Sequence, residues 1–220
     1  HYLSDLGKTL YFLSLSSYQD DLPKILDSME LGTERIRDIV LSLRNFSRMD
    51  EAACKDINIH EGIEDTLLIL EHRLKDSSEH PAIQVIKDYG SLPLVDCYAG
   101  QLNQVFMNIL ANAIDAFEEL NSQHTYQEIQ ENPNKIVIRT SAIDEWIKVV
   151  ISDNGPGIPE EVQRHIFNPF FTTKPIGKGT GIGLSISYQI ITEKHNGTLE
   201  CFSRSGQGTE FIIQIPRLKT

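Results

Sequence analysis

The sequence predicts an α+β fold, in which helices pack on one face of a mixed β-sheet to form a two-layer sandwich. Three observations favour this class. Apolar residues recur with a helical period in residues 21–49 and 99–120, and with a period of two in residues 135–142 and 146–154. The two kinds of pattern alternate without the regular repeat of a parallel sheet. Because a long helix comes first, we predict two regions, residues 1–52 and residues 53–220.

Composition limits the class of partner. The chain has 220 residues, of which 40% are apolar and 23% charged, as in an ordinary globular protein. The 20 Lys and Arg side chains against 31 Asp and Glu give a net charge of −11. This balance argues against nucleic acid as the main partner, because phosphate backbones are bound through clustered basic residues. A single nucleotide remains compatible, since backbone N–H groups, a few bases and a divalent metal can hold it.

The sequence also bears on the cellular setting. No apolar run approaches the roughly 20 residues that span a bilayer, so we expect no membrane span. The three cysteines, Cys54, Cys97 and Cys201, have no CxxC spacing, which favours reduced thiols in a cytoplasmic protein. The chain starts at His1 rather than Met, so we expect a piece of a longer protein.

The first element is a predicted amphipathic helix over residues 21–49. Apolar residues spaced by threes and fours form one stripe, and charged residues occupy the other face. Such a stripe must be buried, and another helix in the same chain or in a dimer partner is the simplest cover. The stripe consists of Leu22, Ile25, Leu26, Met29, Ile36, Ile39, Val40, Leu43 and Phe46.

The later elements follow from period and turn chemistry. In chain order we predict a short strand leading into a helix at 59–74, a strand within 82–90, a helix at 99–120, a loop at 121–134, antiparallel strands at 135–142 and 146–154, a helix at 182–195, and a hairpin of 198–206 with 209–216.

Asp153 is the first candidate binding residue. It ends an apolar strand and precedes the sequence NGPG, so its carboxylate points into a pocket, where Gly155 and Gly157 leave room for a flat ligand. An ionised carboxylate accepts hydrogen bonds only and selects a donor such as the exocyclic amine of adenine. A simple Asx turn is the alternative interpretation.

Two further stretches indicate an anionic ligand. The run GKGTGIGL at residues 177–184 leads into a helix, and bare backbone at a helix start is typical of phosphate sites, although a flexible loop has the same composition. The helix at 99–120 carries a polar stripe of Gln104, Asn108, Asn112 and Asp115. That stripe is either a hydrogen-bonded core network or a row of oxygen ligands suited to Mg²⁺.

The order of these stretches resembles one family. An Asn-bearing helix, the acid and glycines at 153–157, FNPFFTTK, the glycine run and GQGTEF are similar, in that order, to the N, G1, F, G2 and G3 boxes of sensor histidine kinase catalytic domains. These domains belong to the wider ATPase superfamily shared with gyrase and MutL. The resemblance covers about residues 103–211.

The resemblance implies a Mg-ATP site. It implies that Asn112 coordinates Mg²⁺, that Asp153 binds the adenine amine, and that Asn108 and Lys174 serve phosphoryl transfer. Phe170, Phe171 and Lys174 would belong to the ATP lid. The full set of implied cofactor-binding residues is Asn108, Asn112, Asp115, Asp153, Gly155, Gly157, Ile158, Phe171, Thr173, Lys174, Gly179, Thr180, Gly181, Gly183, Leu184 and Thr209.

The resemblance also implies a function for the first region. In the family a dimerising helical hairpin carries the phosphoacceptor histidine in a box like HExxNPL, and residues 34–51 resemble the second helix of that hairpin. None of the seven histidines lies in such a box. His1 lacks the acid and the Asn-Pro, and His60 precedes Glu61 without the Pro. His72, His80, His124, His165 and His195 are predicted to be surface or loop residues.

The resulting interpretation is a sensor histidine kinase fragment that binds Mg-ATP. The γ-phosphoryl group would move to a histidine and then to the receiver domain of a response regulator, in a homodimer formed through the N-terminal helices. Without the acceptor box, we expect this chain not to phosphorylate itself. The alternatives are an ATPase of the gyrase or MutL type, which has a Glu where this chain has Asn108, a protein serine kinase, and a degenerate nucleotide-binding module.

Overall fold

A computed structural model describes Leu22 and residues 55–77, 80–174 and 179–217. The chain divides into two units between Asp50 and Glu51, and every described residue except Leu22 belongs to the second unit. The helical segment predicted for residues 1–52 therefore lies outside the described residues, apart from Leu22. Cys54 also lies outside them.

A five-stranded mixed sheet forms one layer of the second unit. Its strands are β2 (Gln84–Tyr89), β4 (Lys135–Ile143), β5 (Trp146–Asp153), β6 (Thr198–Ser203) and β7 (Thr209–Pro216), in the spatial order β2, β4, β5, β7, β6. Strand β2 runs parallel to β4, and the other neighbours are antiparallel. The predicted mixed sheet is thus confirmed.

A separate two-stranded sheet lies at the edge of this unit. It pairs β1 (Lys55–Ile57) with β3 (Val95–Cys97) in antiparallel fashion. The Asp96 N–H also donates to the Arg217 carbonyl over 3.1 Å. Strand β3 therefore contacts both the first and the last described residues of the unit.

The helices form the second layer. They are α1 (Ile59–Ile69), α2 (Glu71–Leu74), α3 (Ala99–Asn121), α4 (Tyr126–Glu131), α5 (Glu160–Gln163) and α6 (Gly183–Gln189), with α6 continuing into a π-helical turn at Ile190–Lys194. Within the described part of the chain, no helix combines the length and apolar character needed to cross a membrane.

The core lies between α3 and the sheet. Helix α3 buries a continuous stripe that includes Phe106, Leu110 and Phe117, each with no exposed surface. Strand β7 alternates buried and half-buried residues along its whole length, as expected for a strand with one covered face. The predicted α+β sandwich is therefore confirmed. Helix α3 supplies the helical layer's longest buried stripe to the core.

Three elements were not predicted. Helix α4 lies in the segment predicted as a loop, where the Thr125 hydroxyl accepts from the Glu128 N–H and the Glu128 carboxylate accepts from the Thr125 N–H, a capping box that stabilises a helix start. Strand β3 and helix α5 have three and four residues, which is too short for a detectable period.

His195 does not lie on the surface. Only 4% of it is exposed, its Nδ1 lies 2.9 Å from the Ile190 carbonyl, and its Nε2 accepts from the Tyr98 N–H over 3.2 Å. The Ile190 contact requires the proton on Nδ1. His195 follows the π-helical turn as a loop residue, which the sequence allowed, but its ring is buried because it joins the end of that turn to the residue before α3.

Candidate functional site

A cavity of about 410 Å³ opens between α3, the end of β5 and the glycine run before α6. Its size suits a small organic ligand. All of the implied cofactor-binding residues except Gly155 line it, whereas Gln104 of the polar stripe and Phe170 of the lid do not. The lining consists of Asn108, Ala111, Asn112, Ala113, Asp115, Ala116, Glu119, Asp153, Pro156, Gly157, Ile158, Val162, Ile166, Phe171, Thr172, Thr173, Lys174, Gly179, Thr180, Gly181, Gly183, Leu184, Thr209 and Phe211.

Asp153 places a carboxylate in the cavity wall. It is the last residue of β5 and lies opposite Thr209 of β7. Burial raises the pKa of Asp153 to about 6, although the backbone N–H groups of Gly155 and Thr209 act to lower it. The carboxylate is therefore mostly ionised at neutral pH and can accept a hydrogen bond from a ligand.

Gly155 supports Asp153 and is not part of the cavity wall. Its N–H donates to Asp153 Oδ1 over 2.8 Å. A Cβ atom at Gly155 would lie 2.9 Å from the same oxygen and 3.5 Å from the Phe117 ring. The glycine thus lets the backbone fold back onto its own carboxylate, which fixes the direction of that side chain.

Two other glycines let the chain pack closely around Asp153. Gly157 has a φ of 70°, and a Cβ atom there would lie 2.0 Å from the Arg204 carbonyl oxygen. Gly208 has a φ of 87°, and a Cβ atom there would lie 2.0 Å from the Asp153 carbonyl oxygen. Both positions thus need glycine for contacts within the protein, in addition to the cavity surface that Gly157 supplies.

Asn108 connects α3 to α6. Its Nδ2 donates to the Gly183 carbonyl over 2.9 Å and to Ser187 Oγ over 3.0 Å. Both amide hydrogens are therefore used within the protein, and the Oδ1 oxygen is what this side chain can offer to a ligand. Ser187, which the sequence analysis did not single out, fixes the orientation of the amide.

Lys174 lines the cavity together with Asp153. Its ammonium donates to Asp115 Oδ2 and, over 3.2 Å, to Asn112 Oδ1. Asn112 and Asp115 were predicted as binding residues from the helix stripe and Lys174 from the aromatic stretch, and the structure brings the two stretches together. A cation and two oxygen donors of this kind can hold a phosphate and a metal ion.

Arg73 of α2 holds the other oxygen of Asp115. Its Nη2 donates to Asp115 Oδ1 over 2.5 Å and to Glu118 Oε1 over 2.8 Å. Burial acts to raise the pKa of Asp115, but the hydrogen bonds and charges of Lys174 and Arg73 outweigh it and the pKa lies below the ordinary value. Asp115 is therefore ionised, and each of its oxygens contacts a cation.

The donor set fits a metal ion that arrives with a ligand. Asn112 Oδ1 and Asp115 Oδ2 converge on one ammonium, and oxygen donors of this type suit Mg²⁺. Over the residues that the structure describes, no group of three or more His, Cys, Asp or Glu side chains could hold a metal by itself. A Mg²⁺ ion here would take its other ligands from water and from the bound molecule.

The aromatic stretch contributes one of its two neighbouring phenylalanines to the cavity. Phe171 lines the wall, whereas Phe170 is 76% exposed and has a φ of 65°. Gly181 packs directly on the Phe170 backbone, since a Cβ atom there would lie 2.4 Å from the Phe170 carbonyl carbon. Residues 175–178, which follow Lys174 in the chain, lie outside the described residues.

His60, one of the two histidines considered as a phosphoacceptor, is a structural residue. Its ring stacks on Tyr89 with centroids 4.4 Å apart, and its Nε2 lies 2.8 Å from Thr140 Oγ1. Burial lowers the pKa of His60, although the Glu64 carboxylate opposes the shift. His60 thus joins α1 to β2 and β4. His1 lies outside the described residues.

Comparison with known proteins identifies the family. Residues 98–219, more than half of the chain, match the family described as histidine kinase-, DNA gyrase B- and HSP90-like ATPases. The chain is 32% identical over 212 residues to the sensor kinase CckA of Brucella abortus, covering 94% of this chain and 22% of that protein. It is 31% identical over 205 residues to the sensory histidine kinase/phosphatase NtrB of Rhizobium leguminosarum, covering 85% of this chain and 48% of that protein.

Solved structures agree with this match. The catalytic domain of histidine kinase ThkA superposes with a TM-score of 0.60 and 29% identity, covering 76% of this chain and 97% of that domain. The chain thus spans a fifth to a half of the two sequence relatives but nearly all of a solved catalytic domain. This chain therefore belongs to the family of histidine kinase-, DNA gyrase B- and HSP90-like ATPases, and its second unit has the fold of a histidine kinase catalytic domain.

Proposed function

We propose that this chain binds Mg-ATP in the cavity and supplies the γ-phosphoryl group for transfer to a histidine side chain. One observation carries the proposal: a half-buried carboxylate, that of Asp153, and an ammonium held by Asp115 and Asn112, that of Lys174, line the same cavity. A nucleotide is a ligand with a hydrogen-bond donor on its base at one end and anionic phosphates at the other. The family match supports ATP as that nucleotide.

At the base end, Asp153 accepts a hydrogen bond from the exocyclic amine of adenine. The carboxylate is ionised at neutral pH and held in place by Gly155. Ile158, Thr209 and Phe211 line the same cavity. At the ring position of this amine guanine carries a carbonyl oxygen, which cannot donate to a carboxylate, so for a base bound in this orientation Asp153 favours adenine.

At the phosphate end, Lys174 and the backbone of Gly179, Gly181 and Gly183 contact the phosphates. Asn112 holds Mg²⁺, with the amide oxygen of Asn108 beside it. The ion neutralises phosphate charge when it is bound. Phosphoryl transfer depends mainly on positioning and charge neutralisation, which this set of groups provides without a nucleophile of its own.

The phosphoryl acceptor and the later partner come from the family. Histidine kinase ThkA has been solved in complex with the response regulator protein TrrA. By analogy, we propose that the phosphoryl group passes from a histidine to an aspartate of a receiver domain, that residues 1–52 form a homodimer, and that the protein acts in the cytoplasm. No acceptor box occurs in this sequence, so we expect the chain not to phosphorylate itself.

Hydrolysis of ATP by water is the less favoured activity at this site. The ATPases of the gyrase and MutL type place a general base, Glu, where this chain has Asn108. An amide cannot take up a proton, and both hydrogens of this amide are already donated to Gly183 and Ser187. Asn108 therefore orients groups and does not activate water.

Isothermal titration tests the proposal. We expect the chain to bind ATP and a non-hydrolysable analogue in the presence of Mg²⁺, and we expect Asp153→Asn to weaken binding at least tenfold, which corresponds to about 1.4 kcal/mol. Asp144→Asn is the matched control, because Asp144 is exposed in the β4–β5 turn with a φ of 54°, which Asn tolerates. Equal affinities of the two variants would contradict the role of Asp153, and absence of ATP binding would favour a degenerate module.

A further inference from the structure

Lys174 is not free to bind phosphate in this structure. Among the described residues that line the cavity, it is the one basic side chain, whereas three acidic residues, Asp115, Glu119 and Asp153, line the same cavity. Its ammonium already contacts Asp115 and Asn112. A phosphate group must therefore compete with the Asp115 carboxylate for this cation.

The charges around Asp115 determine when a phosphate can take Lys174 from this carboxylate. Arg73 and Lys174 carry two positive charges, and Asp115 and Glu118 carry two negative ones, so the four side chains balance. If Lys174 moves onto a phosphate, Asp115 Oδ2 loses its cation, and because Asp115 lines the cavity whereas Glu118 does not, this carboxylate oxygen is left unpaired beside an anionic ligand. The field of that charge opposes binding, because the group is partly buried, with 30% of its side chain exposed.

A divalent cation removes this obstacle. Lys174 is bound by two oxygens, Asn112 Oδ1 and Asp115 Oδ2, which are the donor type that Mg²⁺ prefers. Arg73 keeps hold of Asp115 Oδ1, so Asp115 Oδ2 stays in place when the lysine leaves. The same two oxygens can therefore exchange an ammonium for a metal ion without rearrangement of α3.

We propose that Asp115 makes this pocket selective for the metal-bound form of the nucleotide. Asp115 and Asn112 hold Lys174 until the cation that accompanies the nucleotide takes their oxygens, and the released lysine then contacts the phosphates. Arg73 is a positioning residue, which acts through Asp115. This inference rests on the proposed function and adds to it the means by which metal-free ATP is rejected.

The experiment compares three ligands by isothermal titration: ATP with Mg²⁺, ATP with EDTA, and adenosine. For Asp115→Asn we expect metal-free ATP to bind at least fivefold more tightly than it binds the wild-type chain. We expect the preference for Mg-ATP over metal-free ATP to fall at least tenfold. Adenosine affinity should stay within twofold, because the change lies at the phosphate end of the cavity.

Glu118→Gln is the matched control. This substitution removes one negative charge from the same helix. Glu118, like Asp115, contacts Arg73, but it does not contact Lys174 and does not line the cavity. We expect this variant to keep the wild-type preference for Mg-ATP within threefold. A second comparison uses the Lys174→Met variant, in which no lysine remains to be released. Adding Asp115→Asn to this variant should strengthen the binding of metal-free ATP by a factor at least three times smaller than the factor found in the wild-type chain.

The outcomes separate the two proposals. If Asp115→Asn behaves like Glu118→Gln while the wild-type chain binds ATP, the exchange is overturned and the nucleotide site stands. If the wild-type chain binds neither ATP nor adenosine, both proposals are overturned. Circular dichroism melting curves establish that each variant is folded, and Asp115→Ala provides the same comparison if the amide variant does not fold.

Discussion

Asp153 combines a proposed binding role with a destabilising one. Its carboxylate is half-buried, and this burial raises its pKa to about 6. A raised pKa means that the folded chain holds the proton more tightly than the unfolded chain does. The stability that this proton provides is fully present below the ordinary pKa near 3.8 and is lost as the pH rises through about 6.

We therefore predict that Asp153→Asn stabilises the nucleotide-free protein at pH 7.5, by roughly 1–3 kcal/mol. The gain should shrink as the pH falls toward 4, where the wild-type carboxyl group is protonated and uncharged. Urea unfolding of both proteins at several pH values measures the difference. A constant difference across this range would show that Asp153 is not responsible.

The same group predicts how binding depends on pH. Adenosine affinity should fall about tenfold between pH 7.5 and pH 5, because a protonated Asp153 is lost as an acceptor for the amine. Adenosine is the suitable probe, since it carries no phosphate that titrates in this range. Titrations monitored by NMR should show this fall for the wild-type chain, and a flat profile for Asp153→Asn.

Local sequence is informative about residues whose partners are close in the chain. Asp153 could be predicted because the glycines that shape its surroundings follow it directly. Arg73 could not be predicted, since its partners Asp115 and Glu118 lie 42 and 45 residues away and no spacing links them. The sequence analysis explained the glycines near Asp153 by the room that a flat ligand needs. The structure adds a second reason, since a Cβ atom at Gly157 or Gly208 would collide with backbone atoms of the protein itself.

Among the elements, the hairpin of β6 and β7 shows how backbone conformation shapes the site. Its turn contains two glycines with left-handed φ values, Gly206 at 77° and Gly208 at 87°. A Cβ atom at Gly206 would meet nothing within 4 Å, whereas one at Gly208 would lie 2.0 Å from the Asp153 carbonyl oxygen. A side chain at Gly206 would therefore cause backbone strain alone, whereas one at Gly208 would cause both backbone strain and a steric clash.

We predict that Gly206→Ala costs about 1 kcal/mol of stability, which is the strain of a left-handed alanine. Gly208→Ala should cost about 3 kcal/mol or more and should also weaken ATP binding, because the end of β5 must move. Thermal unfolding and isothermal titration measure both quantities. If Gly208→Ala kept wild-type affinity for ATP, the hairpin would not be what positions Asp153.

Long elements could be predicted and short ones could not. Helix α3 was predicted at residues 99–120 and is found at Ala99–Asn121, since more than six turns of regular period leave little doubt about its limits. Helix α4 was missed because polar composition was given more weight than the capping pair Thr125 and Glu128. The helix predicted at 182–195 changes to a π-helical turn at Ile190, a change that local periodicity does not indicate.

At the scale of the whole molecule, the candidate site belongs to one unit. Every described residue that lines the cavity, and the core formed by α3 and the sheet, lies in residues 51–220. The order of the five boxes allowed this unit to be predicted from sequence, because the boxes mark the elements that surround the cavity. The dimer and the phosphoacceptor stay predictions, since both depend on residues 1–52 or on other proteins.

We predict that residues 51–220 alone fold and bind Mg-ATP with an affinity within threefold of the full chain. The reason is that the described residues of the core and of the cavity all belong to this unit. Circular dichroism and isothermal titration of the two proteins provide the measurement. A folded fragment without ATP binding would mean that residues 1–50 contribute to the site.

The short strand β3 has a consequence for how this unit can be rearranged. Asp96 pairs with Asp56 of β1 on one side, and its N–H donates to the Arg217 carbonyl on the other. The first and last described segments of the unit are therefore neighbours in space, although they are about 160 positions apart in the chain. A unit whose ends meet in this way can be circularly permuted, with a short peptide joining the old ends and new ends opened in the exposed β4–β5 turn.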